Sequence, residues 1–153
     1  MSDSHSLDIT AAHKFFSAEN FNQTWDYIEK SSRSPEEELA MLHAAITSLW
    51  HWTQRDDVTD ENLSVGHWQV SRVFNLIQQP DNARTYGLLS LKYARELTPF
   101  LKGYAYETLA RAEMQAGNRV AMYYYLEKAR EMAQGITDRE DLQLLLNDLD
   151  SIK

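Results

Sequence analysis

The stretch from Gly103 to Ala133, GYAYETLARAEMQAGNRVAMYYYLEKAREMA, constrains the fold more than any other part of the chain. Apolar and small residues recur at helical spacing on both sides of Gly117-Asn118, and Ala110 and Ala129 fall where two helices folded back on each other would touch. Neither helix can hide its apolar side alone, so such a pair must stack on neighbours. A weaker copy precedes it. KYAREL at 92–97 matches EKAREM at 127–132, which sets Ala94 against Ala129 at a spacing of 129 − 94 = 35 and places Gly87 opposite Met122.

Tetratricopeptide repeats are helix-turn-helix units of about 34 residues with small or aromatic residues at set points. Leu109-Ala110 stand where that pattern has its Leu-Gly pair, Gly117 at its inter-helix turn, Leu126 at its large second-helix position and Ala129 at its small one. The segment therefore resembles a tetratricopeptide repeat. It departs at Met122, where the family usually has Ala, and in having no Pro after the second helix. In the upstream copy the helix from about Asn62 to Gln79 fits with Val70-Ser71 at the Leu-Gly pair if the turn from Gln78 to Asn82 is a few residues longer. The whole chain is also similar to a group of bacterial tetratricopeptide-like proteins, through FNQTWDYIEK, SPEEELAMLHAA, HWQVSRVF and YETLARAEMQAGN. That group carries no agreed activity.

The resemblance implies an all-α fold of antiparallel helix hairpins, stacked as a short right-handed tetratricopeptide-like solenoid of about seven helices. It would form one domain over residues 1–153: an N-terminal hairpin at 9–55, two repeats at 60–133 and a capping helix at 138–152. It further implies that the first helix of each hairpin lines a concave groove. Trp68 and Arg72 would face that groove from the first repeat, and Glu107, Arg111 and Gln115 from the second.

Read in order, the chain supports the helices one by one. The first runs from about Ile9 to Lys30, with Phe21, Trp25 and Ile28 on one stripe. Ser34-Pro35-Glu36-Glu37 carries a helix start, because Ser34 can accept from free N–H groups, Pro35 is pre-set for the first helical position and Glu37 can reach back. The second helix runs to about Gln54, with Leu39, Leu42, Ile46 and Leu49 as its expected buried stripe and Met41, Ala45 and Trp52 beside it. Thr59 opens the third, which buries Val70, Val73, Phe74 and Ile77. Gln79-Pro80-Asp81-Asn82 turns the chain into a helix ending near Leu97, and Thr98-Pro99 repeats the cap logic. Gly135 reads as a helix-ending glycine and Thr137-Asp138-Arg139-Glu140 as a second capping box. The last helix carries Leu142, Leu145, Leu149 and Ile152 on one side, the form of a solenoid cap. No alternating strand pattern occurs.

Composition narrows the function classes. A net charge of −8 argues against nucleic-acid binding, which needs a clustered positive surface. The absence of Cys excludes disulfides and thiolate metal ligands. The polar lead MSDSHSLDIT lacks the basic start and apolar run of a signal peptide, and no stretch approaches the roughly 18 apolar residues of a membrane span. The expected protein is soluble and cytoplasmic.

Trp50-His51-Trp52 and His67-Trp68 concentrate aromatic and imidazole groups on two consecutive helices. Two readings stand: large core fillers whose ring N–H groups find partners, or a small-molecule pocket near His43, Trp50, His67 and Trp68. His43 and His51, eight apart, are about 80° off a common helical face and do not form a zinc pair of the HExxH type, so neither metal nor cofactor is expected. Arg72 and Arg111 occupy equivalent repeat positions and could grip a carboxylate, unless Glu107, four residues before Arg111, takes up that charge. Tyr125 shares the core stripe, whereas Tyr123 or Tyr124 must point elsewhere: one could pack on the last helix, and an exposed tyrosine patch would mark a contact surface, such as one with a second copy. No nucleophile elbow, phosphate loop or dinucleotide fingerprint is present, so no reaction can be named. The reading that follows is a protein-interaction module binding a peptide or protein segment in a helical groove. A structural homo-oligomer and a small-molecule sensor or enzyme are the alternatives.

Overall fold

The computed structural model describes residues 7–153, and the start of the polar lead, residues 1–6, lies outside them. The described residues form seven α-helices and no strand: α1 Ile9–Ile28, α2 Pro35–Thr53, α3 Asp60–Leu76, α4 Pro80–Ala94, α5 Pro99–Gln115, α6 Arg119–Ala133 and α7 Arg139–Asp150. The all-α expectation holds. The chain divides into two compact units, Met1–Val58 and Thr59–Lys153.

The first unit is the antiparallel pair α1/α2, as the contacts Ser17–Ser48 and His13–His51 require. Asp8 caps α1, accepting from Ala11 N at 3.0 Å, and Arg33 donates to the carbonyls of Tyr27, Ile28 and Lys30 near its other end. At Ser34 the full capping box forms: Ser34 Oγ accepts from Glu37 N at 3.2 Å and the Glu37 carboxylate from Ser34 N at 2.9 Å, an arrangement that contributes about 1 kcal/mol. The buried stripe of α2 differs from the expected one. Met41, Ala44, Ala45, Ser48 and Leu49 are buried, whereas Leu39 and Ile46 are exposed. The reason is close approach: Ala44, Ala45 and Ser48 have little bulk, and Ser48 Oγ donates to Ser17 O on α1 at 2.7 Å. On α1 the buried residues are Ser17 and Thr24, so small side chains make the closest approach in this seam.

The second unit stacks two hairpins and a final helix. Within the first hairpin, Ser64 pairs with Ser90 and Ser71 with Ala83, which makes α3 and α4 antiparallel. Arg84 reaches Glu113, and Gly87 lies against Leu109, so α4 is also antiparallel to α5. Consequently α3 and α5 run parallel. Ser71 meets Thr108 37 residues on, and Trp68 meets Tyr104 at a spacing of 104 − 68 = 36, close to one repeat length. Polar side chains hold this junction in an ordered chain. Asn75 Nδ2 donates to Thr108 Oγ1 at 3.0 Å; the single Ser71 hydroxyl proton goes to Ala83 O at 2.7 Å, so Thr108 must donate to Ser71 Oγ. Ala110, Met122, Leu126, Ala129, Leu145, Leu149 and Ile152 form the core beneath α5, α6 and α7, where the small pair Ala110/Ala129 was expected to meet. Tyr125 packs against it, while Tyr123 and Tyr124 are exposed.

Both hairpins turn by the same device. After α5, Gly117 N donates to Met114 O at 3.1 Å and Asn118 N to Glu113 O at 2.9 Å, with Gly117 at φ 73°. After α3, Gln78 N donates to Asn75 O at 3.2 Å and Gln79 N to Phe74 O at 2.9 Å, with Gln78 at φ 59°. This bond pattern requires a left-handed residue just past the helix, which glycine adopts freely and glutamine does not. Gln78→Gly is therefore expected to stabilise the second unit by about 1 kcal/mol, read as a rise in its thermal unfolding midpoint. At the start of α7 the cap is Asp138 rather than Thr137, one residue later than expected; its Oδ1 accepts from both Glu140 N and Asp141 N, and its negative charge suits the helix N-terminus as a neutral hydroxyl does not. Gly135 stands just past α6 without a left-handed φ; an added Cβ would lie 3.0 Å from Pro99 Cγ, so close approach is what its small size serves.

Candidate interaction face

Because α3 and α5 run parallel, Trp68 and Arg72 come to lie beside Tyr104, Glu107 and Arg111. The ring of Tyr104 stands edge-on to Trp68 at 5.7 Å and to Phe100 at 5.1 Å. Its hydroxyl donates to Asp148 Oδ2 on α7 at 2.7 Å; burial and that carboxylate hold the phenol well above its ordinary titration range.

Glu107 is fully buried. Its Oε1 accepts from Arg111 Nε, and its Oε2 has no hydrogen-bond partner. Burial raises the carboxyl above the usual range, against the opposing pull of Arg111 and Arg72. Arg111 is further engaged by the end of α7, donating to Asp148 O at 3.0 Å and Ser151 Oγ at 2.8 Å, where a cation also suits the helix dipole. Gln115, an exposed residue, donates from Nε2 to Asn75 O at the end of α3, at 2.6 Å. Three of the five expected groove residues are thus bonded within the unit: Glu107 and Arg111 to each other, and Gln115 to α3.

Arg72 differs. Its guanidinium lies 5.9 Å from the Trp68 ring centroid, it makes no ion pair or hydrogen bond among the described residues, and its buried Nε has no partner. The two-arginine grip is reduced to one. The i,i+4 spacing of Glu107 and Arg111 was the sequence signal for this outcome. Tyr104, Asp148 and Ser151 were not singled out; for Tyr104 the signal available was its repeat-length distance from Trp68.

The aromatic and imidazole groups fall in both units. In the first, His43 and Trp50 lie on an exposed stripe of α2 with Leu39 and Ile46, so Trp50 is not a core filler. In the second, His67 is buried, with Nδ1 2.7 Å from Leu63 O and its ring stacked on Tyr93 at 5.3 Å and 23°. Burial lowers its pKa. It is a satisfied core histidine. Among the described residues no group of three or more His, Cys, Asp or Glu could hold a metal ion, and no helix is long and apolar enough to cross a membrane.

Fold and face define a class: an all-helical protein whose second unit stacks hairpins at repeat spacing around a polar seam. Compared with protein-family models, curated proteins and solved structures, the chain matches none.

Proposed function

We propose that the second unit is a tetratricopeptide-like protein-interaction module, working in the cytoplasm, that binds a segment of another protein through a carboxylate placed on Arg72. The parallel stacking of α3 and α5 at a 37-residue offset supports the repeat reading. The observation that carries the function is Arg72 itself, a half-buried guanidinium that makes no hydrogen bond or ion pair among the described residues, the buried Glu107 carboxylate that feels its charge being bonded to Arg111 instead. The part of the guanidinium that remains in contact with solvent can be gripped by a carboxylate in two places. No other arginine in the unit combines this burial with the lack of an ion pair: Arg84 is paired with Asp81 and Glu113, Arg111 with Glu107 and Arg130 with Asp150, while Arg95, Arg119 and Arg139 are exposed.

A peptide array should return acidic segments, or free C-terminal carboxylates in preference to their amides. Arg72→Gln should weaken those hits at least tenfold, corresponding to about 1.4 kcal/mol, with Arg72→Lys recovering only part of the loss. An Arg72→Gln protein of unchanged thermal stability that retained every hit would sink the proposal.

A further inference from the structure

The seam between α1 and α2 contains an imidazole pair. His13 on α1 and His51 on α2 meet ring to ring, with Nδ1 to Nδ1 at 2.8 Å and ring centroids 5.0 Å apart. At that distance one nitrogen must carry a hydrogen and the other a lone pair. The arrangement tolerates neutral rings or a single imidazolium. When both rings are charged, both Nδ1 atoms become donors, the bond vanishes, and two like charges face each other.

The surroundings offer no relief for a second charge. Phe16 lies 5.4 Å from the His51 ring, and Trp50 packs on both imidazoles at 4.9 Å and 5.5 Å. The nearby charged groups are Lys14 on α1 and Arg55 and Asp57 in the loop after α2. Asp57 is occupied: Arg55 Nε and Nη2 donate to its two oxygens at 2.8 Å each, Lys14 lies 4.0 Å away, and the carboxyl is held down at about 2. It therefore stays an anion committed to two cations across the whole mildly acid range.

Besides the ring contacts of His13 and Phe16, hydrogen bonds at Ser17 hold the beginning of α1. Its buried residues are Ser17 and Thr24, and Ser48 Oγ donates to Ser17 O at 2.7 Å while Arg55 Nη1 donates to Ser17 Oγ at 3.0 Å. Phe15, Phe16 and Ile9 are exposed.

We propose that the His13–His51 contact is an acid-sensitive latch: it holds the start of α1 on α2 while at least one Nδ1 is unprotonated, and releases it when both rings are charged. The thermodynamic sign agrees. Burial, and then the facing His13, push His51 below its ordinary value, so below about pH 6.5 the unfolded hairpin binds more protons than the folded one and the hairpin weakens as pH falls.

The test is hydrogen exchange of the full chain at pH 7.5 and 5.0, corrected for intrinsic exchange rates. Peptides covering Ile9–Asn20 should lose about tenfold in protection at pH 5.0. His51→Asn and His13→Asn, whose amides occupy roughly the place of Nδ1 and do not titrate, should remove that pH dependence. His67 lies in the second unit, and the readout is taken from α1 alone. Protection of Ile9–Asn20 that is the same at both pH values in the wild type, or that falls equally in His51→Asn, overturns the latch. Should both Asn variants lose α1 even at pH 7.5, the imidazole NMR titration of the wild type decides. Both rings charged with α1 still protected refutes the idea, and α1 opening as the second ring titrates supports it.

Discussion

Arg111→Ala lowers the stability of the second unit by about 3 kcal/mol, whereas Glu107→Gln changes it by less than about 1 kcal/mol; denaturant unfolding of the two variants reads the contrast. The asymmetry comes from where the cost lies. The Glu107 carboxylate is fully out of water, and its largest electrostatic burden is loss of hydration rather than any neighbour. Arg111 is the first of the charges opposing that burden. Removing it leaves a buried anion with only Arg72 nearby, and also frees Asp148 O and Ser151 Oγ at the end of α7. Removing the anion instead leaves Arg111 with those two α7 acceptors, and the amide oxygen of Gln can still accept from Nε. The pH dependence separates the variants again. Because burial raises the Glu107 carboxyl in the folded state, its contribution is fully present below the ordinary glutamate range and is lost as pH rises through the folded value. Glu107→Gln should flatten that part of the stability–pH curve, and Arg111→Ala should steepen it.

These two residues also show what the sequence could disclose. Glu107 and Arg111 are four apart on one helix, so their pairing was legible, as were the capping box at Ser34, the turn at Gly117 and the small pair Ala110/Ala129. All are local, or recur at a repeat length. The end of α7 as a second partner for Arg111 was not legible, because it depends on how a helix 37 residues away is seated. Helix α2 failed differently: apolar residues surround so much of it that periodicity could not choose a side. The choice fell to the small residues Ala44, Ala45 and Ser48, which allow approach to Ser17. Likewise the density of Trp50-His51-Trp52 was visible, but His13, the partner that gives His51 a chemical property, lies 38 residues away and attracted no notice. Gln78 escaped because nothing in a glutamine announces a left-handed backbone.

Leu145→Ala should cost the second unit about 3 kcal/mol, and a second substitution that is harmful by itself should cease to be harmful in its presence. Leu145 has no exposed surface, and its packing partner on α5 is a glycine: a Cβ built on Gly103 would lie 2.6 Å from Leu145 Cδ2 and 3.6 Å from Met132 Cβ. Gly103→Ala alone therefore sets an overpacking cost of about 1–3 kcal/mol against a gain of about 1 kcal/mol from replacing glycine inside a helix. Once Leu145 is shortened, the clash disappears and the helical gain remains, so the double variant should be more stable than the sum of the single effects by about 1 kcal/mol or more. Thermal unfolding of the four proteins measures that coupling. Strict additivity would mean that α7 does not rest on α5 through this pair, and the support that the end of α7 gives Arg111 would then need another origin. A clear coupling ties the two predictions together, because the same seating of α7 that puts Leu145 over Gly103 brings Asp148 and Ser151 to the guanidinium.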